Sequence, residues 1–214
     1  MRKTLTASIV LAVLALAVPA LAGPPFVCHP FEIGSAKSLP ADSTNWLAVR
    51  SDYDFHRVVA DTEALLTPST PTIVRMETLR RASLYASLDR TVAERLIAAM
   101  MVRVKKAEQS GSMATALFDA GYVVEALSEI EQFGNHMKDF AGREKTLAGL
   151  TRADEGRAMI QKSLALKPSD ATMEFALGLL SRAPENAAHF NNARAGAKQD
   201  TLLASNLAKL QLLP

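Results

Sequence analysis

Apolar residues recur at steps of three and four through most of this 214-residue chain, and no window alternates apolar and polar residues at every second position. That spacing places apolar side chains on one face of a helix and scatters them on a strand. β-Branched residues are sparse as well. The expected fold class is therefore all-α, with about eight helices packed as antiparallel hairpins.

Phe55, Val58, Val59, Thr62 and Leu65/Leu66 share one face, which predicts a helix from Tyr53 to the break at Pro68–Pro71. Thr70 is the expected cap of a second helix, with Pro71 at its first position, where a missing N–H costs nothing. Its stripe is Ile73, Met76, Leu79/Arg80 and Ser83/Leu84, running to about Leu88. Thr91-x-x-Glu94 matches a capping box opening a third helix, with stripe Val92, Leu96, Met100 and Val104. Gln109-Ser110-Gly111 closes it. Met113 to Ala120 and Val123 to Phe133 are expected as a fourth and fifth helix around Gly121. Glycines interrupt any pattern over residues 134–150. Further helices are expected from about Asp154 to Leu166, Ala171 to Arg182, Glu185 to Ala197 and Thr201 to Leu212.

The first 22 residues read differently. Arg2 and Lys3 precede an apolar stretch from Ile9 to Val18, and Pro19-Ala20-Leu21-Ala22 has the small-x-small pattern of a signal-peptidase site. The apolar stretch falls short of the roughly 20 residues that span a bilayer. The expectation is a bacterial-type secretory signal cleaved after Ala22, with the product in the periplasm or outside the cell and no membrane span remaining. Pro24 after Leu21-Ala22-Gly23 argues against lipid attachment at Cys28. The chain has 24 basic and 22 acidic residues. Losing Arg2 and Lys3 leaves a formally neutral mature protein, so the charge balance does not favour a nucleic-acid partner.

Residues 23–50 hold four prolines and two glycines and read as an extended arm over a helical domain of residues 51–214. Trp46 is the expected anchor of the arm's end. The arm carries the chain's one cysteine, Cys28, beside His29. A lone cysteine cannot form an internal disulfide, so packing must supply the stability. Cys28 and His29 form a candidate reactive or packing pair. Both residue types ligate metals, but adjacent residues chelate one ion poorly, and His56, His136 and His189 lack motif spacing. A haem-attachment motif needs a second cysteine where Pro25 stands. A thiolate nucleophile needs a base and an orienting group, and no such signature surrounds Cys28. Burial as a small apolar residue and bonding to another molecule both stay open.

Residues 75–106 carry a net charge of +5 and residues 107–139 a net charge of −5. Arg75, Arg80, Arg81, Arg95 and Arg103 are the candidate basic surface, either orienting a partner or lying on solvated helix faces. Asp52/Asp54 and Glu129/Glu131 are close in sequence, but residues two apart on a helix point to different faces. Phosphate loops, dinucleotide fingerprints and Gly-x-Ser-x-Gly motifs are lacking, so no cofactor is indicated.

Two stretches resemble tetratricopeptide repeats. In AGYVVEALSEI, Gly121 stands five residues before Ala126, as at the turn between the two helices of that repeat. In SLALKPSDATMEFALGLL, Pro168 sits where the repeat ends its second helix, and Leu177-Gly178 fits the Leu-Gly pair of the next repeat. The resemblance covers residues 113–133 and 155–198. It departs from the pattern at Glu174, where a large aromatic is expected, and over residues 134–150, where the register slips. It implies a superhelix with a concave groove for a protein or peptide partner. The leading expectation is thus a secreted or periplasmic protein-interaction module. A Cys28-dependent redox or metal-binding protein and a structural envelope component, with or without homo-oligomer formation, are the alternatives.

Overall fold

A computed structural model describes residues 26–109, 111–152 and 154–211; the expected signal segment and its cleavage site lie outside them. Nine α-helices and no strand occur among the described residues, so the chain is all-α. The helices are α1 (Val58–Leu65), α2 (Thr72–Ala86), α3 (Arg90–Ala107), α4 (Met113–Phe133), α5 (Arg143–Leu147), α6 (Glu155–Leu166), α7 (Ala171–Leu180), α8 (Glu185–Gly196) and α9 (Thr201–Lys209). No helix among these residues is long and apolar enough to cross a membrane.

The centre of the fold is α4. It packs against α2, α3, α5 and α6, and Phe118, Tyr122, Val123, Ala126, Leu127 and Ile130 are all buried. A helix covered on several sides needs apolar residues around most of its circumference, and this one has them. The expected turn at Gly121 does not form: α4 runs unbroken from Met113 to Phe133. Gly121 instead admits α6. A Cβ on it would lie 2.5 Å from the carbonyl oxygen of Gly156, and a Cβ on Gly156 would lie 2.3 Å from that of Gly121. Missing side chains, not backbone freedom, are what both glycines contribute here.

Aspartates set several helix starts. Asp89, Asp170 and Asp200 accept hydrogen bonds from amides in the first turns of α3, α7 and α9. This displaces the expected capping box: α3 begins at Arg90 with the Asp89 carboxylate on the Val92 N–H, and Glu94 pairs with Arg90 on the exposed face. At α2, Pro71 is the cap residue and Thr72 the first helical one. The Thr70 hydroxyl donates back to the Leu65 carbonyl at 2.8 Å and closes the turn after α1. Pro168 lies two residues beyond the end of α6, and Gly178 of α7 sits under the Phe190 ring of α8, 2.6 Å from where its Cβ would be.

The arm, residues 26–50, lies tightly over the helices. Phe26, Val27, Phe31, Leu39 and Leu47 are buried in the common core. Trp46 is not the anchor: it is 52% exposed, and its neighbour Leu47 enters the core instead. Polar contacts complete the attachment. The Arg80 guanidinium donates to the carbonyls of Val27 and Trp46, both at 3.1 Å, and Arg81 donates to that of Leu39 at 2.5 Å. The Glu77 carboxylate accepts the Phe31 N–H, and Glu129 accepts the Val27 N–H.

Candidate functional site

Most of the basic residues picked out by sequence turn inward. Arg80 is fully buried and Arg75 nearly so, reaching only the floor of a cleft. Arg80 makes a two-pronged pair with Glu77, at 2.8 and 2.9 Å, and Arg81 reaches the same carboxylate at 2.6 Å. Burial works to raise the Glu77 carboxyl, but bonding to Arg80 and the charges of Arg80 and Arg81 outweigh it and hold the group below its ordinary value. Among the described residues, the opposite charges of residues 75–106 and 107–139 meet inside the molecule only at Asp119, which pairs with Arg75 and Arg103. Of the five arginines, Arg95 is exposed on α3, and Arg103 lies partly exposed at a cleft.

That cleft, about 420 Å³, lies where the turn after α1, the C-terminal end of α3, the first turn of α4 and the end of α6 meet. Arg75, Arg103, Lys106 and Lys167 line it, with Leu66, Pro68, Ala107, Ala114 and Ala116 as apolar walls and no carboxylate among the described lining residues. Gly111, at φ +70°, makes the reversal between α3 and α4 that brings their ends together.

Beneath the cleft is Asp119 of α4, fully buried. It accepts from Arg75 Nη1 at 2.7 Å and lies 3.5 Å from Arg103 Nη2. Burial pushes its carboxyl up, against the pull of the two guanidiniums. Arg75 is fully engaged, donating also to the carbonyls of Thr70 and Thr67. Arg103 is not: Nη2 donates to the Leu66 carbonyl at 2.8 Å, while its buried Nε–H has no partner among the described residues. The Ser112 side chain makes no capping bond to the first turn of α4, so among the described residues its leading N–H groups add further donors where Ala114 and Thr115 line the cleft. Open first-turn amides next to exposed cations suit an oxyanion. Sequence reading included Arg103 but missed Lys106, Lys167 and Asp119. Ser112 before Met113 reads as an ordinary cap, so no local signal marked the site, and joining residues 66, 103, 115 and 167 required the tertiary fold.

Cys28 and His29 stand at the end of a short 3₁₀ turn, Phe26–Cys28. The thiol is half-buried, and burial, with the Glu129 carboxylate next in effect, pushes it up to about 11. Burial, then the charges of Arg80 and Lys209, pulls His29 below its ordinary value. A protonated thiol beside a neutral imidazole is the reverse of an activated thiolate–imidazolium pair. No group of three or more His, Cys, Asp or Glu residues positioned to hold a metal occurs among the described residues. His29 instead lines a second hollow with Trp46 and Lys209.

Gly121, Ala126, Leu177 and Gly178 are all buried helix-packing positions, and Pro168 is exposed in the turn between α6 and α7. Beside Pro168, Glu174 accepts from His189 Nδ1 at 2.5 Å and from Asn192 at 2.9 Å, tying α7 to α8. Comparison with protein-family models, curated proteins and solved structures gives no match.

Proposed function

We propose that this protein is a secreted or periplasmic interaction module that holds a protein or peptide partner at the α3–α4–α6 cleft. The carrying observation is the cleft's one-sided chemistry: Lys106, Lys167 and the partly exposed Arg103 stand beside apolar walls, with no carboxylate among the described lining residues, while buried Asp119 offsets only Arg75 and part of Arg103. Such a surface costs stability through self-repulsion unless something of opposite charge fills it. The apolar walls suit an organic segment more than a simple salt ion.

The succession of α6, α7 and α8 supports the tetratricopeptide-like part of this reading, through Pro168 after α6 and Gly178 beneath Phe190. The continuous α4 supports a less regular array around it. The high thiol of Cys28 weighs against the redox alternative.

The test is site-specific photo-crosslinking in the native envelope. A cross-linker at Thr115, inside the cleft, should capture a discrete partner that one at Glu63, on the exposed face of α1, does not. Identical background capture at both positions would overturn the reading.

A further inference from the structure

The cleft's donors can be assigned by what is already spent. Arg75 is consumed by Asp119 and the turn carbonyls; Asp119 pairs through Oδ2 with Arg75 and Arg103, and its buried Oδ1 has no partner among the described residues. What faces a ligand is the partly exposed edge of the Arg103 guanidinium, the first-turn amides of α4 and the ammonium groups of Lys106 and Lys167. Lys106 is exposed and has no ion-pair partner among the described residues; Lys167 has only a 3.4 Å contact to the Thr115 hydroxyl. Every one of these groups donates, and none accepts.

We infer that the cleft takes a carboxylate carried on an apolar stem, as an acidic peptide segment presents it. The inference rests on the interaction-module reading and specifies the partner's chemistry. A carboxylate has two acceptor oxygens for converging donors. An aliphatic stem covers Leu66, Pro68 and the alanine walls, which a bare inorganic anion leaves wet. Exposed Leu166 beside Lys167, and Val102 one helical turn before Lys106, extend apolar surface from the cleft's rim and suit apolar residues flanking the acidic one.

The experiment uses the chain 23–214 and three probes: an acetylated leucine–glutamate–leucine peptide, the same peptide with glutamine and a C-terminal amide, and inorganic phosphate. The readout is saturable movement of the Ala114 and Thr115 amide resonances. The acidic peptide should bind at least tenfold more tightly than the neutral one, and weaken with added salt. Arg103→Gln should weaken it about tenfold. Because Arg103 also bonds the Leu66 carbonyl, Lys106→Gln and Lys167→Gln, both at exposed positions, carry the test if that variant unfolds; each should weaken binding several-fold.

Equal binding of the neutral peptide, or no saturable movement with any probe, overturns the inference. Phosphate binding as tightly as the acidic peptide also overturns it, since the apolar stem then contributes nothing. Failure of the broader reading looks different. A partner captured at Thr115 without acid preference leaves the module standing and removes the carboxylate. Acid preference without any captured partner keeps the carboxylate site and removes the module.

Discussion

Gly121 of α4 and Gly156 of α6 face each other so closely that each occupies the space the other's side chain would need. A Cβ at position 121 would also lie 2.9 Å from the Ile160 side chain. Alanine in place of a mid-helix glycine normally gains about 1 kcal/mol of helix propensity. Here a methyl group at position 121 would strike backbone, which cannot rotate away. Gly121→Ala should therefore destabilise the protein by about 1–3 kcal/mol despite its better propensity. Urea unfolding followed by circular dichroism measures it, and an unchanged or higher midpoint would contradict the close crossing.

Glu77 holds two parts of the molecule at once: its own helix through Arg80 and Arg81, and the arm through the Phe31 N–H. Removing its charge strands a buried guanidinium. Glu77→Gln should cost about 3–5 kcal/mol, the usual penalty for breaking a buried pair from one side. The arm should loosen first, so the amides of Phe31 and its neighbours should lose exchange protection ahead of those in α4. Because the folded carboxyl lies below its ordinary value, its contribution is present above the unfolded pKa and disappears as pH falls through the folded one. Exchange rates equal to wild type in the arm would show that Glu77 is not the tie.

The fold class was legible because period and composition agree over nearly every helix from Val58 to Lys209. Helix starts were less so. Thr91-x-x-Glu94 imitates a capping box, yet Asp89 is the better acceptor two residues earlier and takes the role. Gly121 misled because a glycine inside an apolar run has two meanings, a turn or a close approach, and only the presence of Gly156 opposite decides between them. The arginines misled for a related reason. A charged residue reads as surface unless its partner is known, and Glu77, Asp119 and the arm carbonyls are partners that local sequence spacing does not reveal. Cleft formation depends on four segments meeting, so only single members such as Arg103 were within reach of sequence.

Glu129 gives the opposite pH signature to Glu77. Its carboxyl is almost wholly enclosed and accepts the Val27 N–H at 2.7 Å without a cation bonded to it. Burial pushes it up to about 7 from an ordinary 4.5. A raised carboxyl binds its proton more tightly in the folded state than in the unfolded one. Stability is therefore greatest below the unfolded pKa and falls as pH rises from about 4.5 through about 7, by on the order of 3 kcal/mol. Glu129→Gln keeps an oxygen acceptor for the Val27 N–H and removes the charge. It should be more stable than wild type at pH 8 and should flatten the stability curve between those pH values. A variant with wild-type pH dependence would show that Glu129 ionises in the folded protein as freely as in water.

Cys28 can be judged by the same carboxylate. With its thiol at about 11 instead of the ordinary 9.0, ionisation alone makes the native thiolate about a hundredfold scarcer than the unfolded one at pH 8. Iodoacetamide should therefore alkylate the native protein about a hundredfold more slowly than the urea-unfolded chain. Burial is the larger cause and Glu129 the next, so Glu129→Gln should recover only part of the difference, a few-fold in rate. Native and unfolded rates that coincide would mean an exposed, ordinary thiol and would reopen a chemical role for the Cys28–His29 pair. A large difference that Glu129→Gln partly relieves would fix Cys28 as a packing residue of the arm, and would leave the cationic cleft as the place to look for a partner.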